Sequence, residues 1–320
     1  MLARLKVWSQ FADFLFVGGL YLESRLKFLR ATQNPDGGWG YFPGKGSWLE
    51  PTTYAMLALH GAGSLTGSDE VSDRAWKLVC SWQRPDGSFR PSGEVSDGTW
   101  VTAHAVTLAS IRGADPRMVH RAVDWLLQVV GAEHDLTMRA AAFFHLIKLD
   151  EDLSHEGWPW RQGNATWIEP TAHTLVALKK VAGTYRTSDV ERRIRDGEEL
   201  VLSRKCKDGG WNYGTPNTLY VELPSYPETT GLALMGLLGR SEQELAGPLA
   251  LAQRFRAETK SSLAQAWLQI ALRCHGKQTA TPADSQFTSH DVMLAALETL
   301  GHPEGNYPLF CAGLRTGRAA

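Results

Sequence analysis

Cysteine is scarce, net charge is almost nil, and no apolar run is long enough to cross a bilayer. The four cysteines, Cys80, Cys206, Cys274 and Cys311, are widely separated and form no CxxC pair. They read as reduced, mostly buried thiols of a cytoplasmic protein rather than a disulfide framework. Basic residues number 33 against 34 acidic, a net charge of −1 with no long run of either sign. Nucleic acid is therefore not an expected partner. The apolar stretch from Phe14 to Leu22, preceded by Arg4, Lys6 and Asp13, is well short of the ~20 residues a spanning helix needs. No small-x-small cleavage site follows it, which argues against a signal peptide. Residues 1–19 are read as an extension that adds a helical turn to the domain; the alternative reading is an amphipathic contact with a membrane surface, giving a protein peripheral at the membrane. Strand signals are nearly absent.

What is present is helix and repetition. With 43% hydrophobic residues over 320 positions, the chain can bury a substantial core. The stretch Gln33 to Thr53, QNPDGGWGYFPGKGSWLEPTT, ends one helix, forms a glycine-rich aromatic loop and opens a second helix. The second helix, around Ala55-Met-Leu-Ala-Leu59, is apolar on nearly every face, as a fully buried helix is. Looser copies follow at Gln83 to Phe89, Glu156 to Trp160 and Cys206 to Trp211, and further helical spacing falls at 117–130, 136–149, 187–204, 242–257, 261–274 and 289–301. Aligning the apolar helices puts Trp48, Trp100, Trp167 and Tyr226 in one column. Glu50, Thr102, Glu169 and Glu228 form the next, and Thr52, His104, Thr171 and Thr230 the third. Such a repeat predicts stacked hairpins, none able to bury its apolar face alone. About twelve helices, polar outer alternating with apolar inner, suggest a closed ring. Strict alternation puts the helix after Thr166 outside, whereas its motif puts it inside.

Lys27-Phe-Leu-Arg-Ala-Thr-Gln33-Asn-Pro-Asp-Gly-Gly-Trp39, Trp76 to Phe89, and Leu202 to Trp211, which lacks the Gln, resemble the QW motif of the prenyltransferase and squalene-oxidase repeat family. That family includes squalene–hopene and oxidosqualene cyclases and the β subunits of protein prenyltransferases. The resemblance covers roughly residues 22 to 300. It implies an all-α fold, an α/α toroid resembling an α6/α6 barrel over residues 20–305 with a tail at 306–320. It also implies an apolar partner such as an isoprenoid in the central cavity, handled by a cyclase-like or prenyltransferase-like protein. The family's Asp-x-Asp-Asp protonation motif is missing: the matching positions read Trp-Leu-Glu50-Pro, Trp-Val-Thr102-Ala, Trp-Ile-Glu169-Pro and Tyr-Pro-Glu228-Thr. The zinc site of the prenyltransferases is not reproduced either, so no cofactor is expected, with a divalent metal left open. Asp69-Glu-Val-Ser-Asp73 has the look of an acidic magnesium motif, but its place at a helix start favours capping.

The candidate acids are Glu50, Glu169 and Glu228, expected at one mouth of the ring where an apolar setting raises a carboxyl pKa. Each has Ser or Thr three residues earlier, namely Ser47, Thr166 and Ser225. That is capping-box spacing, and the favoured expectation is a glutamate tied back to its own helix start. His104 and His173 fall near the same end, as packed residues or as a general base. Trp48, Trp100, Trp167, Tyr226 and Tyr54 are the candidate substrate-binding aromatics, whose faces suit a polyene or a cation. Two rival functions remain: a carbohydrate-active enzyme with two free carboxyls ~5–10 Å apart, and a non-catalytic binding protein on the same ring.

Overall fold

A computed structural model describes residues 19–63, 69–134, 154–218 and 221–303. Eleven α-helices account for most of them: α1 Gly19–Ala31, α2 Leu49–Gly61, α3 Glu70–Ser81, α4 Thr102–Arg112, α5 Pro116–Gln128, α6 Ile168–Val181, α7 Ser188–Ser203, α8 Pro227–Gly236, α9 Glu242–Glu258, α10 Ser262–Cys274 and α11 Val292–Gly301. A two-stranded antiparallel ribbon, β1 Asn217–Thr218 and β2 Val221–Glu222, lies before α8. The expected extension before Gly19, the helix at 136–149 and the tail at 306–320 fall outside the described residues.

The helices form an α/α toroid. α2 packs on α4, α4 on α6, α6 on α8, α8 on α10, α10 on α11, and α11 returns to α2, closing an inner ring of six. Outside them, α3 packs on α2, α5 on α4 and α7 on α6, while α9 touches both α8 and α10, and α1 both α11 and α2. Burial follows the same division. In α2 every residue from Pro51 to Leu59 is buried, whereas α5 buries only the stripe Val119, Ala122, Val123, Trp125 and Leu126, as an amphipathic outer helix does. The helix after Thr166 is inner, as its motif indicated. Strict alternation fails at the other end, because α10 and α11 are both inner and residues 275–291 between them form no helix.

The glycine-rich joints carry the outer-to-inner turn in the same way each time. Gln33 Nε2 donates to the carbonyls of Gly37 at 2.8 Å and Val71 at 2.9 Å, and Arg74 donates to its Oε1. Gln83 repeats this with Gly87, Met118 and Arg121. The glutamine thus clamps its own joint to the next outer helix. Where Cys206 replaces it, a Cβ on Gly209 would meet nothing within 4 Å, while one on Gly87 would stand 2.2 Å from the Arg121 carbonyl oxygen. The aromatic that closes each loop is fully buried, Trp39, Phe89, Trp158 and Trp211 alike. Its backbone N–H donates to a threonine hydroxyl on the following inner helix: Thr52, Thr102, Thr171 and Thr230, at 2.9–3.1 Å. These bonds correct the repeat alignment. Thr102, not His104, is the equivalent of Thr52, so the second copy slips by two residues.

Candidate functional site

With the register corrected, two layers line the inner ring at its loop-bearing mouth. The first turn contributes Glu50, Glu169 and Glu228, with Trp100 at the equivalent position just before α4; one turn below stand Tyr54, His104, His173 and Leu232. Within α2, α6 and α8 the members of each vertical pair are four residues apart and share a helix face.

The expected capping boxes are not formed. α2, α6 and α8 begin one residue later than the spacing implied, with Trp48, Trp167 and Tyr226 as N-caps and no side-chain cap bond. The joints have taken the Ser hydroxyls instead: Ser47 Oγ donates to Asp36 at 2.8 Å and Ser225 Oγ to Asp208 at 2.8 Å. Thr166 is held through its backbone N–H, which donates to Glu133. The three glutamates are therefore released from their helix starts. Glu50 accepts from the Tyr41 hydroxyl at 2.5 Å, and Glu228 from the Tyr213 hydroxyl. Glu169 has no hydrogen-bonding partner among the described residues.

Electrostatics separate the three. Burial pushes the Glu50 carboxyl up to about 6, opposed by the Tyr41 hydrogen bond and assisted by Asp291. Burial pushes Glu169 up to about 8, and the neighbouring Glu50 and Glu228 add to it. Glu228 is raised by burial. A carboxyl without donors, beside two carboxylates, keeps its proton at neutral pH.

Below the acids, the Tyr54 hydroxyl lies 3.1 Å from His104 Nε2 and 3.4 Å from His173 Nδ1. With a single proton to give, the hydroxyl accepts from at least one of the two rings. The imidazole centroids are 4.4 Å apart. Both rings are held neutral by burial, His173 down to about 3 and His104 well below its usual value, with His173 as the second cause. Trp267 crosses Tyr54 edge-on at 5.6 Å, and Trp100 crosses His104 at 4.7 Å. The cavity among Thr53, Tyr54, Leu57, His104, Thr107, His173 and Val176 measures about 10 Å³, the size of a single water. At this depth the ring is closed by a floor. An open central cavity holding the substrate, as the sequence implied, is not what this layer provides, and Tyr54 is part of the floor.

Open space lies higher. A mostly apolar hollow of about 270 Å³ is walled by Trp167, Tyr213, Leu223 and Tyr226 beside the β1–β2 ribbon. Trp167, Tyr213 and Tyr226 are among the most exposed large side chains, at 37%, 37% and 44%. Trp48 is half-buried, 6.0 Å from Tyr41, and Trp160 crosses Trp100 at 4.6 Å. Tyr41, Trp160 and Tyr213 were not singled out in the sequence, although a signal existed. Each follows the buried loop tryptophan by two residues, as Trp39-Gly-Tyr41, Trp158-Pro-Trp160 and Trp211-Asn-Tyr213. Asp69 caps α3 by accepting the Val71 N–H, so the acidic motif there is structural. Among the described residues no cluster of His, Cys, Asp and Glu is placed to hold a metal, and no helix is long and apolar enough to cross a membrane.

No family model matches the chain. A drimenyl diphosphate synthase from Streptantibioticus cattleyicolor is 41% identical over 64 residues, which span 20% of this chain and 12% of that enzyme. Among solved structures, a type II terpene cyclase from Scytonema, in complex with its substrate geranylgeranyl dihydroxybenzoate, is similar with a TM-score of 0.51. Its identity is 17%, covering 87% of this chain and 76% of that one. An endo-β-1,4-glucanase from Acetobacter xylinum is similar with a TM-score of 0.55 at 13% identity, covering 89% and 97%. At these identities the likeness establishes the α/α toroid, a fold that terpene cyclases and glycoside hydrolases share.

Proposed function

We propose that this chain is a terpenoid-cyclase-like enzyme in which Glu169 starts the reaction by protonating an alkene of an isoprenoid at the mouth of the ring. The observation that carries the reading is a carboxyl with no hydrogen-bonding partner among the described residues, raised to about 8 and close enough to Tyr41 and Tyr54 to act on both hydroxyls. Protonating a carbon–carbon double bond needs a neutral carboxylic acid in a poorly hydrated place, and pKa values pushed apart within one site mark acid from base. The short match to a drimenyl diphosphate synthase points the same way.

In the proposed reaction the O–H bond of Glu169 breaks as its proton forms a C–H bond at the terminal alkene. The next alkene closes on the resulting tertiary cation, and the faces of Trp48, Trp100, Trp167 and Tyr226 stabilise the charge. Glu50 or Glu228, each steadied by a tyrosine hydroxyl, then accepts a proton from carbon, so the net change is an isomerisation. The hollow beside Trp167 and Tyr226 is large enough for part of a prenyl chain.

The test is incubation of the full chain with squalene, farnesyl diphosphate and geranylgeranyl diphosphate in deuterated water, read by mass spectrometry. The expected product is a cyclic isomer carrying solvent deuterium, with turnover lowered about a hundredfold or more in Glu169→Gln. No isomer from any of the three, with no lipid carried by the purified protein, selects the non-catalytic binding reading. Cleavage of a β-1,4-glucan that depends on both Glu169 and Glu50 selects the carbohydrate reading.

A further inference from the structure

On the side of the ring where α10 and α11 follow one another, no outer helix separates α9 from α1 among the described residues. Residues 275–291 cross that gap as irregular chain. Beneath them lies a hollow of about 420 Å³ walled by α1, the last turn of α9, α10, α11 and residues 282–285, within the size range of small-molecule sites. It faces away from the lumen. Gln269, in its wall, lies two residues beyond Trp267, whose ring meets Tyr54 and His173 inside the barrel, and two residues turn a helix by about 200°.

Two features of this hollow are unfavourable as they stand. Gln269 is only 5% exposed, and neither its amide nitrogen nor its oxygen has a hydrogen-bond partner among the described residues, which leaves both groups stripped of water without compensation. Arg256 donates to the Ala280 carbonyl at 3.0 Å and has no carboxylate partner among the described residues. Of the other charges nearby, Arg25 pairs with Glu298 at 2.6 Å, and the Asp284 carboxylate accepts the Tyr21 N–H at the start of α1, where the helix dipole favours it. Burial of Arg256 lowers its pKa, the direction expected of a cation short of counter-charge. Ser262 and Gln265 add further polar side chains on the α10 wall.

One guest relieves both. We propose that the hollow binds a small organic oxyanion, a carboxylate or a phosphate ester, that pairs with Arg256 and presents an amide or hydroxyl end to Gln269. An oxyanion matches the guanidinium fork, and a group that both donates and accepts satisfies a primary amide on both atoms. This site is separate from the carboxyls at the mouth, and its occupancy does not depend on what they do.

Calorimetric titration of the full chain with succinamate and with glycerol 3-phosphate tests it, with neutral succinamide as control. The expected result is one saturable site per chain for at least one anion, the stronger binder telling carboxylate from phosphate, and none for succinamide. Arg256→Gln should weaken binding about tenfold or more, and Arg256→Lys should restore most of it. Gln269→Leu should raise the melting temperature while weakening binding, which a merely structural glutamine would not do. The proposal is overturned if neither anion saturates by about 10 mM, if succinamide binds equally well, or if binding is unchanged in both Arg256→Gln and Gln269→Leu.

Discussion

Glu169 is the carboxyl with the most to lose by ionising, since no described residue donates to it and two other glutamates share its surroundings. Between its ordinary value of 4.5 and about 8, the folded chain keeps a proton that the unfolded chain has released. Stability contributed there falls as pH rises through that window. Glu169→Gln, which cannot ionise, should match the wild type in urea unfolding near pH 4.5 and exceed it by about 2 kcal/mol at pH 8.5, partial exposure having discounted the full shift. Equal stabilities at pH 8.5 would show that the carboxyl ionises freely. Below it, the Tyr54 hydroxyl lies within hydrogen-bonding distance of both imidazoles. Tyr54→Phe strips a partner from His104 and from His173 and should cost about 2 kcal/mol in the same measurement.

At the scale of the element, the joints and inner helices act as one unit, and glycine shows why. Gly87 has φ +91° and a Cβ there would stand 2.2 Å from the Arg121 carbonyl oxygen; Gly209 has φ +96° with open space around it. Gly87→Ala should cost about 3 kcal/mol or more because α5 must move, and Gly209→Ala only about 1 kcal/mol of backbone strain. Urea midpoints for the two variants check the difference. The joints were legible in the sequence because a Gln, an Asp-Gly turn and a buried aromatic within seven residues make local bonds. The capping boxes were misread because Ser47 and Ser225 are claimed by Asp36 and Asp208, 11 and 17 residues away, and spacing along one helix cannot register that competition. The two-residue slip at Trp100 had the same origin, since a matching tryptophan outweighed a threonine whose role appears only once Phe89 is folded against it. The floor was legible only as parts. Tyr54, His104 and His173 come from three repeats and meet only in the closed ring.

For the whole molecule, the two layers set opposing pH dependences. His173 and His104 are neutral in the folded ring and charge more readily when unfolded, so stability falls as pH drops below 6.5 toward about 3. Glu50 and Glu169 act oppositely, and stability falls as pH climbs toward about 8. Their balance should place maximum stability at mildly acidic pH, about 5 to 6.5, measurable as urea midpoints from pH 4 to 9. A maximum above pH 8 would mean that surface ion pairs dominate both layers. The outer ring was expected to complete six pairs, and the unhelical crossing at 275–291 instead leaves the side hollow with Arg256 in its wall. The floor has a further consequence for the reaction proposed at the mouth. Standing one helical turn, about 6 Å, below the carboxyls, it acts as a depth stop for a flexible chain entering end first. Under that proposal only the leading units fold beneath the acid while the remainder trails outward past Trp167 and Tyr226, so the number of rings in the product would be set by how far down that stop is built.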